Sequence, residues 1–216
     1  NRNITCITYE NVYEISALYN NFENDEISDF HEIEEVVMQK IQELQSNKLL
    51  TIAKEINDKK DNIKIVLIAG PSSSGKTTST RKLCMYLKSF GLTPQVISMD
   101  DYFVDKEDTP LDEEGKLDYE CLEAMDVKLF DKQMAALLRG EKVVVPTYNF
   151  AAGVKEFKQE MQFADDDIMI IEGIHALDDK ILTNIERKKK YKIYISALTE
   201  INMDDHRNLI DSVIEQ

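Results

Sequence analysis

The run Gly-Pro-Ser-Ser-Ser-Gly-Lys-Thr at residues 70–77 constrains this chain more than any other feature. It matches the pattern Gly-x-x-x-x-Gly-Lys-[Ser/Thr] at every fixed position. A β-branched run at residues 63–69 precedes it, and an amphipathic pattern over residues 76–90 follows it. A strand, a glycine-rich turn and a helix in this order place backbone N–H groups and a helix N-terminus around an anion. The pattern therefore predicts a phosphate-binding loop.

The side chains of this loop predict that the chain binds ATP and Mg²⁺. Lys76 supplies a positive charge beside the phosphoryl group that is transferred, and Thr77 offers a hydroxyl to the metal. The glycines let the backbone adopt turns that other side chains would block. We expect the nucleotide to be bound by Gly70, Ser72, Ser73, Ser74, Gly75, Lys76, Thr77 and Thr78.

The rest of the chain alternates strand patterns with helix patterns. Further apolar runs typical of strands occupy residues 95–99, 143–145 (closed by Pro146), 167–171 and 191–196. Helical spacing of apolar residues covers residues 127–139 and 178–190. Strands that alternate with helices favour parallel, right-handed crossovers. The sequence thus predicts an α/β protein with the three-layer P-loop NTPase fold and a parallel sheet.

A helical segment precedes this predicted domain. Residues 1–27 show no firm period, but from Ser28 onward apolar residues recur at steps of three and four as far as Asn57. Ser28 and Asp29 are suitable N-cap residues. We expect a largely helical N-terminal extension over residues 1–60, followed by the P-loop domain over residues 61–216.

Composition excludes several classes of partner. With 26 basic and 41 acidic residues, the formal net charge is −15, which argues against nucleic acid or an anionic membrane. The three cysteines show no metal-ligand spacing and are typical of reduced thiols. No apolar run approaches the roughly 18 residues of a membrane span, and no signal peptide opens the chain. These observations predict a cytoplasmic protein.

Two carboxylates follow predicted strands. Asp100 comes after residues 95–99, and Glu172 comes after residues 167–171. In an open parallel sheet, ligands bind beyond the carboxyl ends of the strands, so both side chains are expected to face the phosphate-binding loop. One could accept the proton of an attacking hydroxyl and the other could hold Mg²⁺, directly or through water. We assign the base to Asp100 and the metal to Glu172 with Thr77, and expect Asp101 to support the site or cap a helix.

At this point the chain resembles the uridine kinase and phosphoribulokinase-like family of P-loop kinases. The resemblance rests on residues 70–77, 98–103, 145–150 and 170–174, in that order. It implies ATP-dependent phosphorylation of a nucleoside 5′-hydroxyl, with uridine or cytidine as the acceptor. Asp100 falls on the catalytic aspartate of the family and Glu172 on its metal-associated acid, while Lys76 stabilises charge on the transferred group.

The resemblance also implies an acceptor pocket. Asp118 falls near an acid that binds ribose hydroxyls, and Tyr148 and Phe150 fall on aromatics that line the nucleoside pocket, with Phe103 as a further candidate. The alternatives are a solvated loop acid for Asp118 and ordinary core packing for the two aromatics. The chain departs from the family where Asn149 and Gly153 replace an aspartate and a histidine, and that histidine normally helps to read the pyrimidine.

The end of the chain departs from the family as well. After His206 the family continues into an arginine-rich lid, whereas this chain runs directly into residues 207–216. We expect a lid segment to be missing between residues 206 and 207, and the natural N-terminus to be missing before Asn1.

Two other functions stay open. The acceptor could be another small hydroxyl compound, such as a phosphorylated sugar or pantothenate. Alternatively, the chain could be a regulatory module that binds ATP without turning over an acceptor, although such a module needs no base like Asp100. His175, beside Glu172, is more typical of a loop histidine than of a substrate ligand. The oligomeric state is open, with a homo-oligomer as one alternative.

Overall fold

The computed structural model describes residues 4–7, 30–72 and 74–196. Three α-helices, three short 3₁₀ helices and seven strands lie in this part of the chain. The helices are α1 Phe30–Asp58, α2 Lys76–Ser89 and α3 Val127–Leu138. The strands are β1 Ile4–Ile7, β2 Ile65–Ala69, β3 Thr93–Ser98, β4 Val143–Asn149, β5 Val154–Met161, β6 Asp167–Glu172 and β7 Lys190–Ile195.

Five strands form one parallel sheet in the order β1-β7-β2-β6-β3. The central strands β2 and β6 are buried along almost their whole length, because helices cover both faces of the sheet. The predicted α/β class with a parallel sheet is confirmed.

Alternation along the strands divides the core into two layers. On one face, Val66 and Ile68 of β2 pack with Leu83 of α2 and Ile52 of α1. On the other face, Ile65 and Leu67 pack with the inner side of α3. Successive strand residues point to opposite faces, so a single apolar strand supplies both layers. The apolar stripe predicted for residues 127–139 is confirmed as the buried side of α3.

The second half of α1 belongs to the same core as the sheet. Leu49, Ile52, Ala53 and Ile56 are buried against strand residues on that face. The helical pattern over residues 28–58 allowed one long helix or two shorter ones, and the structure has one, Phe30–Asp58, while Ser28 and Asp29 lie outside the described residues. The division of the chain at residue 60 stays a prediction. None of the described helices is long and apolar enough to cross a membrane.

Strands β4 and β5 form a separate antiparallel hairpin, which the sequence did not predict. The expectation that Pro146 closes the strand is wrong. The strand continues to Asn149, and the pairing shifts register between Val145 and Pro146. A local irregularity is where a strand can accept a proline, which has no N–H to donate to the ladder.

The helix predicted at residues 178–190 is also wrong. This segment consists of turns, with a short 3₁₀ helix at Arg187–Lys189. Leu182 has a φ of 53°, outside the helical region, and its N–H donates to Asp131 Oδ1 at 2.7 Å. A bond from α3 therefore replaces the helical one that the apolar spacing suggested. The four-residue strand β1 was not predicted either.

Candidate active site

The phosphate-binding loop is packed tightly against the end of β7. A Cβ added to Gly70 would lie 2.2 Å from the carbonyl oxygen of Ile195, so only glycine fits there. Gly75 precedes α2 with a φ of 81°. The Lys76 ammonium lies over the loop, where Nζ donates to the carbonyl oxygens of Gly70 at 2.9 Å and Pro71 at 2.6 Å. The loop is therefore held between a strand end and a helix start, as its sequence predicts.

The register of the sheet brings the predicted carboxylates to this loop. Glu172, the last residue of β6, pairs with Ile68 on one side and with Ser98 on the other. Ile68 lies two residues before Gly70, and Ser98 lies two residues before Asp100. Parallel strands end at the same edge of a sheet, so Glu172 and Asp100 lie beside the loop.

Asp100 is carried on a short 3₁₀ helix, Met99–Tyr102, that begins where β3 ends. The hydroxyl of Ser98 accepts from the Asp100 N–H at 3.3 Å and caps this turn. At the other end, the buried Tyr102 hydroxyl donates to Gln133 Oε1 of α3 at 2.8 Å, and its ring packs edge-on against Phe130. The turn that presents Asp100 is thus fixed from both ends.

The charges at the site influence one another. Burial lowers the pKa of Lys76, and the neighbouring carboxylates of Asp100 and Glu172 oppose that change. Burial raises the pKa of Asp100; Lys76 and His175 oppose the rise, while Asp101 adds to it. A carboxylate whose pKa is raised in this way is a better proton acceptor than a solvated aspartate. The structure brings together the two residues predicted to be catalytic.

Several polar atoms around the loop are buried and have no hydrogen-bond partner within the described part of the chain. They are Ser74 Oγ in the loop, Glu172 Oε2 at the end of β6, and His175 Nε2 just beyond it. Buried polar atoms are normally satisfied, so these indicate a site that a ligand completes. The described residues contain no group of three or more His, Cys, Asp or Glu that could hold a metal alone. Such an arrangement suits Mg²⁺, which binds one or two protein groups together with substrate phosphates.

Four aromatic rings form a cluster beside the turn that carries Asp100. Phe103 contacts Tyr119, Tyr148 and Phe150 with ring centroids 5.1, 5.7 and 6.2 Å apart, and Tyr148 lies 4.9 Å from Phe150. Phe103 and Tyr148 are buried, whereas Phe150 is 65% exposed at the edge of the cluster. Burial and the Tyr119 hydroxyl raise the pKa of Tyr148 to about 12. The cluster therefore combines a packed floor with one ring that a ligand can reach.

Polar contacts tie the β4–β5 hairpin to the segment that follows Asp100. Asp101 Oδ1 accepts from the Tyr148 N–H at 3.1 Å, and Asp105 Oδ1 accepts from the Lys155 N–H at 3.1 Å. The Lys155 ammonium pairs with Asp126 at 3.0 Å, and its side chain is only 14% exposed. The two acids that follow β3 thus have different roles. Asp100 faces the loop, and Asp101 positions the aromatic cluster.

A sequence model of the phosphoribulokinase/uridine kinase family matches residues 65–207, which span the loop, both carboxylates and the aromatic cluster. The chain belongs to this family. The curated relatives include uridine kinases of Staphylococcus aureus, from strains JH9 and Newman among others. They are 30% identical over 160 residues, which is 70% of this chain and 74% of theirs. The chain is therefore a uridine kinase-like member of the P-loop kinases.

Solved structures show the same fold. A possible uridine kinase from Bacillus stearothermophilus is similar with a TM-score of 0.50 and 22% identity, over 72% of this chain and 83% of that one. A candidate fructose transport system kinase from Silicibacter sp. TM1040 also has a TM-score of 0.50, with 20% identity over 77% and 82% of the two chains.

Within this family fold, Tyr119 is the residue that sequence reasoning missed. It is an aromatic residue directly after Asp118, and that adjacency was the available signal. Asp118 Oδ1 accepts hydrogen bonds from the backbone N–H groups of Glu120 and Cys121. This oxygen therefore stabilises a turn. Thr77 and Thr78 are exposed at the start of α2, and Ser73 lies outside the described residues.

Position 153, where the family histidine is expected, has a structural reason to be glycine. Gly153 has a φ of 72°, and an added Cβ would lie 2.7 Å from Lys106 Cβ. Its N–H donates to the Asn149 carbonyl and its carbonyl accepts from the Lys106 N–H. The Asn149 side chain accepts from the N–H groups of Ala151 and Ala152. Both departures from the family thus belong to one tight turn at the tip of the hairpin.

Proposed function

We propose that this kinase uses ATP and Mg²⁺ to phosphorylate the 5′-hydroxyl of a nucleoside, uridine or cytidine. The observation that carries the proposal is the position of Asp100. Its carboxylate interacts electrostatically with the Lys76 ammonium, and the turn that carries it leads directly to Phe103 of the aromatic cluster. A base placed between a phosphate site and an aromatic pocket suits the transfer of a phosphoryl group to the hydroxyl of a ring-bearing acceptor.

The roles of the residues follow from this placement. The backbone of residues 70–78 binds the phosphates of ATP, and Lys76 balances charge on the transferred group. Asp100 orients the acceptor hydroxyl and takes its proton, which its raised pKa favours. Phe150 offers an exposed ring face on which a base can stack, and the second carboxylate oxygen of Asp118 is assigned to the ribose hydroxyls.

Thr77 and Glu172 are the residues that would hold Mg²⁺. When bound, the ion supplies charge neutralisation between the phosphates of the nucleotide. The Glu172 carboxylate contributes a buried oxygen without a partner in the described residues, and Thr77 contributes an exposed hydroxyl. The three cysteines are free thiols, which supports a reducing, cytoplasmic setting.

A second candidate function is the phosphorylation of a different small hydroxyl compound. It is favoured by the tip of the hairpin, where Gly153 stands in place of the histidine that reads the pyrimidine. Lys106 closes the space a side chain would need at that position, and the Asn149 side chain is engaged with its own turn. A phosphorylated sugar or pantothenate is the alternative acceptor.

The acceptor is tested by measuring ADP release from ATP with Mg²⁺ in the presence of uridine, cytidine, adenosine, guanosine, pantothenate or ribulose 5-phosphate. We expect uridine or cytidine to stimulate ADP release well above the rate without acceptor. Stimulation by pantothenate or the sugar phosphate alone would favour the second candidate. Release of ADP at the same rate with and without every acceptor would contradict both, and would favour the regulatory module.

Replacing Asp101 with Ala is expected to raise the KM for the acceptor about tenfold and to change kcat less. The variant removes the acceptor of the Tyr148 N–H, and an unsatisfied buried donor costs about 1–3 kcal/mol. Steady-state kinetics with the stimulating acceptor measure the effect. Asp101→Asn keeps an oxygen acceptor and should restore the native KM. An unchanged KM in the Ala variant would contradict the positioning role.

A further inference from the structure

A second cavity lies at the opposite end of the sheet from the phosphate-binding loop. Its volume is about 740 Å³, within the range of small-molecule sites. It is bounded by the end of α1, by β1 and by the start of β7. The loop follows the carboxyl end of β2, whereas this cavity adjoins the amino end of β7. The two therefore lie about one strand length, roughly 15 Å, apart.

The lining of this cavity is strongly positive in a chain of net charge −15. Five cationic residues line it: Lys59, Arg187, Lys188, Lys190 and Lys192. Glu55 is the one carboxylate among the lining residues, and it accepts a hydrogen bond from the Tyr191 hydroxyl at 2.9 Å. The cavity is therefore a local cationic site on an acidic protein, and concave walls strengthen such a field.

The existing ion pairs leave this positive character in place. Lys188 pairs with Glu186 at 2.8 Å and Lys192 with Asp179 at 3.3 Å, but both acids are mainly exposed, at 57% and 80%. The Lys188 pair is exposed on both sides and contributes little free energy, so an anion can compete for Lys188, whereas the Lys192 side chain is only 19% exposed. Lys190 donates to the carbonyl oxygen of Leu182 at 2.6 Å. Burial lowers the pKa of Lys190 and the charge of Lys192 lowers it further, while the carboxylates of Asp131 and Asp179 oppose the change.

The polar and apolar parts of the lining suit a phosphate ester more than a bare ion. Tyr191 holds one wall in place, because its hydroxyl also accepts from Thr5 Oγ1 at 3.1 Å. Ile4 and Ile63 add apolar surface beside the cations. The lining thus combines cationic, hydroxyl and apolar surface.

We propose that this cavity is a second anion site, which binds a phosphorylated small molecule independently of the catalytic centre. Lys59, Arg187 and Lys188 hold the phosphate, and the Tyr191 wall with the isoleucines contacts the remainder of the ligand. The site is separate from the ATP phosphates and the acceptor, so it stands whether or not the proposed function is correct.

Calorimetric titration with inorganic pyrophosphate, without Mg²⁺, tests the site. The titration is made in the Lys76→Met background, where the phosphate-binding loop is weakened. We expect one pyrophosphate to bind per chain there, with affinity that falls as salt concentration rises. The added double change Lys59→Glu and Lys188→Glu should lower the affinity at least tenfold, because it reverses two of the five positive charges. Both side chains are exposed, so circular dichroism should show a native fold.

Lys54→Glu in the same background is the matched control. It makes the same charge change on an exposed face of α1 that does not line the cavity. We expect it to leave the pyrophosphate affinity within twofold. The proposal is overturned if the Lys76→Met chain binds no pyrophosphate, if the double change leaves the affinity unaltered, or if Lys54→Glu weakens binding as much as the double change does. Failure of the acceptor assay would leave these results unaffected, so the two proposals fail separately.

Discussion

Asp100→Asn is expected to lower the turnover of this kinase by about 10²–10⁴-fold, the usual size of a general-base effect. Asparagine has nearly the shape of aspartate but cannot take a proton from the acceptor hydroxyl. The turn that carries residue 100 is held by Ser98 and Tyr102 and does not depend on the carboxylate. ATP affinity should therefore stay within a few fold of native. Turnover is measured as ADP release with the acceptor, and ATP affinity by calorimetry.

The pH profile separates a base from a structural carboxylate. Burial raises the pKa of Asp100, and the base is active only when deprotonated. The native rate should therefore fall as the pH drops through this raised pKa, and the Asn variant should lose that acid limb. Asp61→Asn, an exposed residue just after α1, is the matched control and should keep the native rate. Near-native turnover in Asp100→Asn would show that another group is the base.

Lys76→Met is expected to lower kcat/KM for ATP by about 10²–10³-fold, the cost of removing one donor that stabilises transition-state charge. The methionine side chain fills a similar volume without the charge. In the native chain the ammonium lies over the loop, within hydrogen-bond distance of two loop carbonyl oxygens and near Asp100 and Glu172. Its loss removes the cation that the transferred group would meet, so both ATP affinity and kcat should fall.

Two further variants sharpen this experiment. Lys76→Arg should not restore activity, because a planar guanidinium cannot take the place of a compact ammonium between the carbonyls of Gly70 and Pro71. Lys88→Met makes the same change in the exposed last turn of α2 and should leave the kinetics native. Native kinetics in Lys76→Met would contradict the role assigned to this residue.

Helix α1 has a structural role that the sequence pattern only outlined. Its apolar stripe was visible as steps of three and four, but the surface it covers was not. In the structure, Leu49, Ile52, Ala53 and Ile56 are buried in the same apolar layer as β2, β6 and β7. Helix α1 therefore covers one face of the parallel sheet and packs in the same apolar layer as Leu83 and Leu87 of α2.

The acceptor side of the site shows the limit of sequence reasoning most clearly. Strand β5 is mostly polar and largely exposed, so its sequence has no apolar alternation that would indicate a strand. Its place is decided by bonds to distant residues, such as Lys155 with Asp105 and Asp126. Asp101 was expected to have a supporting role, but its partner, the backbone of Tyr148, is 47 positions away. Contacts across such distances leave no local pattern.

The sequence by itself determined the phosphate-binding loop, the parallel α/β sheet and the two strand-end carboxylates. These depend on local rules: glycine where backbone must approach closely, apolar runs for buried strands, and the common edge at which parallel strands end. Only the tertiary structure decided the hairpin, the irregular segment around Leu182, the addition of Tyr119 to the aromatic cluster and the cationic cavity beside β7. Each of these forms because side chains far apart in sequence meet, and their mutual bonds outweigh the weak local preferences of the segments that carry them.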